Sequence, residues 1–118
     1  MKNTAKALLL QALAAMAWAD GEMPPAQRKL LTDRFHDADV SSSTREGWLA
    51  GRVTFPDKAD LLVQLPTMEE RLEFVTHLLR MSSTDGRLAP EEAKLLGLLG
   101  QEFGMDADVL AELTRHVR

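Results

Sequence analysis

A chain of 118 residues with 45% apolar side chains is long enough to bury the core of one domain of ordinary size. It contains no cysteine, which excludes disulfides, a thiolate nucleophile and a Cys-ligated zinc. A formal net charge of -4 and a sequence pI near 5.3 oppose a nucleic-acid surface.

Aromatic residues make up only 5% of the chain and Tyr is missing, so Leu, Ala, Val and Met must fill the core. Seven Gly and five Pro fall mostly between periodic segments. Both features favour an all-α domain.

The N-terminal segment has two readings. Lys2 and Lys6 precede an apolar run from Ala7 to Ala19, and Ala17-Trp18-Ala19 resembles a signal-peptidase site, which would mean export. The same run aligns with Leu72 to Thr84, plainly a domain helix, and that favours a helix buried nearly all round in a cytoplasmic protein. The run is too short to span a bilayer. Helix two is expected from about Pro25 to Phe35, with Leu30, Leu31 and Phe35 inward and Gln27, Arg28 and Asp33 outward. The cluster His36-Asp37-Ala38-Asp39 could ligate a metal, but no second ligand pair stands at metal spacing, and a polar helix end accounts for it.

Ser43-Thr44-Arg45-Glu46 has capping-box spacing and opens a short helix that carries Trp48 and Leu49 inward and ends at Gly51. Phe55-Pro56 reads as a turn, and Asp57 is placed to cap another short helix with Leu61, Leu62 and Leu65, stopped by Pro66. Thr67-Met68-Glu69-Glu70 is a second capping box. It leads into a wide apolar stripe of Met68, Leu72, Phe74, Val75, Leu78, Leu79 and Met81. Glu73 with His77, and Glu112 with His116, lie four apart, as ordinary ion pairs on helix surfaces do. Helix six turns Leu95, Leu96, Leu99 and Phe103 inward and closes at Gly104. Asp106 caps the last helix, where Met105 and Leu110 have staple spacing and Val109, Leu110, Leu113 and Val117 form the expected buried face.

A shift of 65 positions lays one part of this pattern on another. It superposes Leu13 on Leu78, Met16 on Met81, Asp20-Gly21 on Asp85-Gly86, Pro25 on Pro90 and Lys29-Leu30-Leu31 on Lys94-Leu95-Leu96. In each copy an apolar helix ends at Asp-Gly, an aliphatic residue (Met23 or Leu88) plugs the turn, and a Pro opens the next helix. The expected architecture is a single compact bundle of about seven helices with an internal pseudo-twofold repeat. Its halves cover roughly 4–36 and 67–103, bridged by short helices within 43–65, with a final helix at 106–117. Counting back from Asp-Gly puts Met16 and Trp18, or Met81 and Ser83, where an EF-hand loop needs its first oxygen ligands, so that calcium loop does not fit.

The stretches Ala19-Asp20-Gly21-Glu22-Met23 and Thr84-Asp85-Gly86-Arg87-Leu88-Ala89-Pro90-Glu91-Glu92 resemble the TerB-like family, across essentially the whole chain. The resemblance implies a compact helical module of tellurite-resistance and related stress systems, which assembles protein complexes, often near the inner membrane, without catalysing a reaction. It also implies that the acidic turns take a divalent cation (calcium, magnesium or zinc), with Asp20, Glu22, Asp85, Glu91 and Glu92 as the residues carried over. Gln27 departs from the family pattern, which has Glu there. The interaction surface expected around the second turn consists of Arg87, Glu91, Glu92 and Lys94. The bland alternative is that each Asp simply caps its own turn. The leading expectation is thus a non-enzymatic interaction module, a monomer or weak dimer with protein partners, some of them membrane-associated. Its rival is a divalent-metal sensor or buffer. An enzyme finds little support, for the chain has no Gly-x-Ser-x-Gly, no phosphate-binding Gly loop and no His-Glu-x-x-His.

Overall fold

Between Lys6 and Asp20 no side chain carries a charge, and this stretch of Ala and Leu becomes the axis on which the other helices are laid. The structure is a computed structural model. It describes residues 2–19, 21–82 and 90–117, without the side chains of Thr114, His116 and Val117. Seven helices follow in order: α1 (Asn3–Ala17), α2 (Pro25–Arg34), α3 (Ser42–Leu49), α4 (Lys58–Gln64), α5 (Met68–Ser82), α6 (Pro90–Glu102) and α7 (Ala107–Val117). One 3-10 turn, Phe35–Asp37, extends α2. Strands are absent among the described residues, so the fold is the all-α bundle the composition called for. A radius of gyration of 13.2 Å matches the ~13.5 Å of a single folded unit of this length.

Helix α1 packs against α2, α3, α4, α5 and α6. Its consecutive residues Ala12, Leu13 and Ala14 are all 0% exposed. Successive helical side chains point about 100° apart, so three buried in a row cover roughly 200° of the circumference, and the half-buried Leu8, Gln11 and Ala15 mark the remaining side. Alanine makes this possible: it is the best helix former and lets adjoining helices come close. Helix α5 is the main neighbour and is two-faced. Phe74, Val75, Leu78 and Leu79 are buried while Glu73, His77 and Arg80 face solvent. The bounds of α1 and α5 differ by 65 at both ends, as do Pro25 and Pro90, which open α2 and α6. No helix among the described residues is long and apolar enough to cross a membrane.

The capping chemistry follows the sequence with one displacement. Thr67 Oγ1 accepts from the Glu70 amide at 3.1 Å and donates to Glu70 Oε1 at 2.9 Å. Asp106 Oδ1 accepts from the Val109 amide at 2.9 Å. At α3 the N-cap is Ser41, not Ser43: Ser41 Oγ accepts from the Thr44 amide, so the helix begins two residues earlier than its capping box suggests. Asp57 stands at the N-cap of α4 in extended conformation but makes no side-chain cap there.

The last two helices meet with no room to spare. Gly104, at φ +78°, closes α6 in the left-handed conformation that favours glycine, and the chain reverses into α7. A Cβ placed on Gly100 would lie 2.3 Å from Leu110 Cδ1 and 2.9 Å from its Cγ, so α7 rests against glycine backbone. The docking is narrow. Leu110 and Leu113 are half-buried and Val109 is 37% exposed, which corrects the expectation that Val109 belongs to the buried face. Met68, at the start of α5, is likewise 43% exposed, because the stripe there reaches the rim of the bundle.

Two glycines of α6 should therefore respond with opposite signs. Gly100→Ala should destabilise by about 1–3 kcal/mol, since the whole Leu110 side chain must move. Gly97→Ala meets no atom within 4 Å and should stabilise by about 0.5–1 kcal/mol through helix propensity. Urea unfolding monitored by helical circular dichroism measures both.

Candidate functional site

The first Asp-Gly turn is built on the end of α1. The Ala19 and Gly21 amides donate to Met16 O and Trp18 O at 3.1 and 2.9 Å, and Gly21 takes φ +92°, a backbone state that disfavours any larger residue. Trp18 fixes the turn to α3. Its indole Nε1 donates to Trp48 O at 2.9 Å, and its ring lies over Gly51, where a Cβ would come within 3.6 Å. Trp48 in turn packs on Phe35 with ring centroids 6.2 Å apart, and the Arg45 guanidinium sits 5.4 Å from the Phe35 ring centroid. Met23 is buried, as a plug of the turn should be. Trp18, Glu22, Met23, Pro24 and Pro25 line an open notch of about 480 Å³.

Of the residues expected to form an acidic site, Asp20 and Asp85 lie outside the described residues, as do Arg87 of the expected interaction surface and Leu88. Glu22 is exposed at the first turn. Glu91 and Lys94 are exposed on α6, whereas Glu92 is only 9% exposed and points inward, so the surface offered by this helix start is that of Glu91 and Lys94. Among the described residues no three carboxylates or imidazoles gather at metal-binding range. At the His36-Asp37 cluster, Asp37 lies 3.8 Å from Arg34, the bland reading of a polar helix end. Glu73 stands 3.8 Å from His77, and Glu112 pairs with Arg115 at 2.9 Å.

Gln27 overturns its expected place. Its polarity predicts the outer face of α2, yet it is only 4% exposed, and its Nε2 donates to Ser82 O at 2.9 Å. Ser82 ends α5, where carbonyls have no partner within the helix, so the amide of α2 satisfies the end of α5. Periodicity contained the cue. Gln27, Leu31 and Phe35 repeat every four residues on one face and all three are buried. A carboxylate in this place could not donate to Ser82 O.

A second cleft has no counterpart in the sequence reading. It measures about 440 Å³ and is lined by Lys6, Leu9 and Leu10 of α1, Arg34 of α2, Asp37 and Ala38 after it, and His77, Arg80 and Met81 of α5. Each of the long helices contributes positions i, i+3 and i+4 of one face. That spacing is visible in the sequence, but which face meets which is decided only by how the helices cross.

Gln27→Glu should lower stability by about 1–3 kcal/mol at neutral pH, because it removes the donor and sets a buried carboxylate against a carbonyl oxygen. The deficit should shrink as pH falls and the carboxyl regains a proton to donate. Chemical denaturation of both proteins at pH 7.5 and pH 4.5, within about a unit either side of those values, is the measurement. A deficit that grows on acidification would contradict the assigned hydrogen bond.

Comparison with protein-family models, with curated proteins and with solved structures gives no match to the chain.

Proposed function

We propose that the chain is a non-enzymatic TerB-like interaction module, working in a bacterial stress, tellurite-resistance or envelope-associated complex. The observation that carries this reading is the construction of the first Asp-Gly turn. Trp18 ties the turn to α3 through a hydrogen bond to Trp48 O, and leaves a notch of Met23, Pro24 and Pro25 with Glu22 at its edge. A preformed notch with two prolines loses little conformational entropy when a partner fills it. The core, by contrast, is given over to packing: α1 packs against five helices, and Ala12, Leu13 and Ala14 are wholly buried. The exposed charges Glu22 and Glu91 supply the acidic character that the family resemblance attaches to these turns.

The rival, a divalent-cation sensor, meets a specific obstacle. At the position where the family pattern places a carboxylate, Gln27 presents a donor and spends it on Ser82 O.

The test is affinity capture from native lysate with the wild-type chain and with the double variant Glu22→Lys, Glu91→Lys, whose sites are exposed and whose fold is checked by thermal melting. Partners held by the wild type and lost by the variant support the reading. Recovery of the same partners by both sends the interaction elsewhere on the surface. Calorimetric titration with calcium, magnesium and zinc separates the rival. Heat that disappears when Asp20 and Asp85 become Ala would favour the metal sensor.

A further inference from the structure

We propose that the cleft between α1, the end of α2 and the end of α5 binds a small amphiphilic anion, a free medium-chain carboxylate. Its head would lie among Lys6, Arg34 and Arg80, and its aliphatic body on Leu9, Leu10 and Met81. The volume, about 440 Å³, falls within the ~300–1,000 Å³ of small-molecule sites.

Charge is the first argument. The molecule carries a net charge of -4, yet this cleft collects Lys6, Arg34 and Arg80 from three helices against the single carboxylate of Asp37. Arg34 is 3.8 Å from Asp37 and shares its charge with it. Lys6 and Arg80 have no carboxylate at ion-pair distance among the described residues. Positive groups converging on a concave surface focus the local potential even where the whole molecule is negative. His77, whose Nε2 is 3.8 Å from Glu73, adds a further donor at the edge.

The second argument is the floor. Met81, half-buried, together with the edges of the buried Leu9, Leu10 and Ala38, forms an aliphatic floor beneath the cations, and Met is the side chain that adapts most easily to a flexible chain. A purely inorganic anion would leave that floor wet, and an uncharged hydrocarbon would leave the cations unused. An anionic bilayer or a nucleic acid is disfavoured in turn, because a polyanion feels the net negative charge of the molecule beyond the cleft. The proposal is independent of the interaction-module reading; partners lost or kept at the acidic turns do not bear on it.

The probe is decanoate, titrated calorimetrically into the full chain below its micelle concentration, with acetate and decylammonium as companions. Decanoate should bind with one-to-one stoichiometry and shift the methyl resonances of Leu9, Leu10 and Met81. Acetate lacks the body and decylammonium reverses the head, so both should bind at least about tenfold more weakly. The double variant Lys6→Gln, Arg80→Gln should keep its melting temperature and lose about tenfold in decanoate affinity. For the wild type alone, affinity should fall as salt is raised. Absence of decanoate binding, equal binding of decylammonium, or unchanged affinity in the folded double variant overturns the proposal. Binding to phosphatidylglycerol vesicles without binding of free decanoate overturns it as well, and would assign the cleft to a membrane surface.

Discussion

The packing of α1 against five other helices is the constraint on which the rest of the molecule depends. A helix buried on one face tolerates polar residues on the other, but one packed against five neighbours has room for few along its middle, and Gln11, half-buried there, donates its amide to Thr54 O at 2.8 Å. Apart from Gln11 and Trp18, the run from Ala7 to Ala19 meets that demand with small and aliphatic side chains, and Leu13, at 0% exposure, fills the space its alanine neighbours leave. Truncating such a residue typically costs about 2–5 kcal/mol, a large share of the ~5–15 kcal/mol by which a domain is stable. Placing so much of the core in one element also explains why α7 can dock narrowly. It leans on Gly100 through Leu110 and leaves Val109 partly in solvent.

Around that apolar axis the helices are joined by one recurrent polar device, in which a side-chain N–H from one element donates to a carbonyl at the end of another. Gln27 serves Ser82 O, Trp18 serves Trp48 O, Arg28 serves Leu49 O, Arg45 serves Phe35 O and Arg71 serves Leu65 O. Each acceptor lies in the last turn of a helix or just beyond it, where carbonyls lack the i+4 amide of a continuing helix, although Trp48 O and Phe35 O also accept from the Gly51 and Ala38 amides. Short helices such as α3 and α4 have a high proportion of such ends, and a bundle assembled from them needs donors that reach across. Each bond contributes only about 0.5–1.5 kcal/mol net. Their larger effect is to set where one helix stops relative to the next, and so to shape the first turn and its notch.

Much of the fold was legible from local chemistry. Thr67 with Glu70, Asp106 with Val109, Pro25 at a helix start and Gly104 at a helix end work through neighbours within a few residues, and sequence reading placed them correctly. Failures came where tertiary context outranks a local preference. Gln27 looked like a surface residue because it is polar, while the carbonyl that draws it inward belongs to a helix 55 residues away. Val109 looked like a core residue because it is apolar, yet the shallow docking of α7 leaves it at the rim. Three serines in succession hid the true cap of α3, since each could accept from an amide three residues on. The cationic cleft was the least legible feature of all. Lys6, Arg34 and Arg80 are ordinary solvent-side cations on three separate helices, and only the crossing of α1 with α5 brings them to one concavity.

The central claim, that α1 is the axis of the fold, is tested most directly by native-state amide hydrogen exchange resolved by residue. The amides of Ala12, Leu13 and Ala14 should be among the slowest in the molecule, exchanging only through global unfolding and at the same free energy as Phe74, Val75 and Leu78 of α5. Exchange of the α1 amides at a free energy well below that of α5 would mean that the segment can leave while the remainder stays folded, and would contradict its role as the axis.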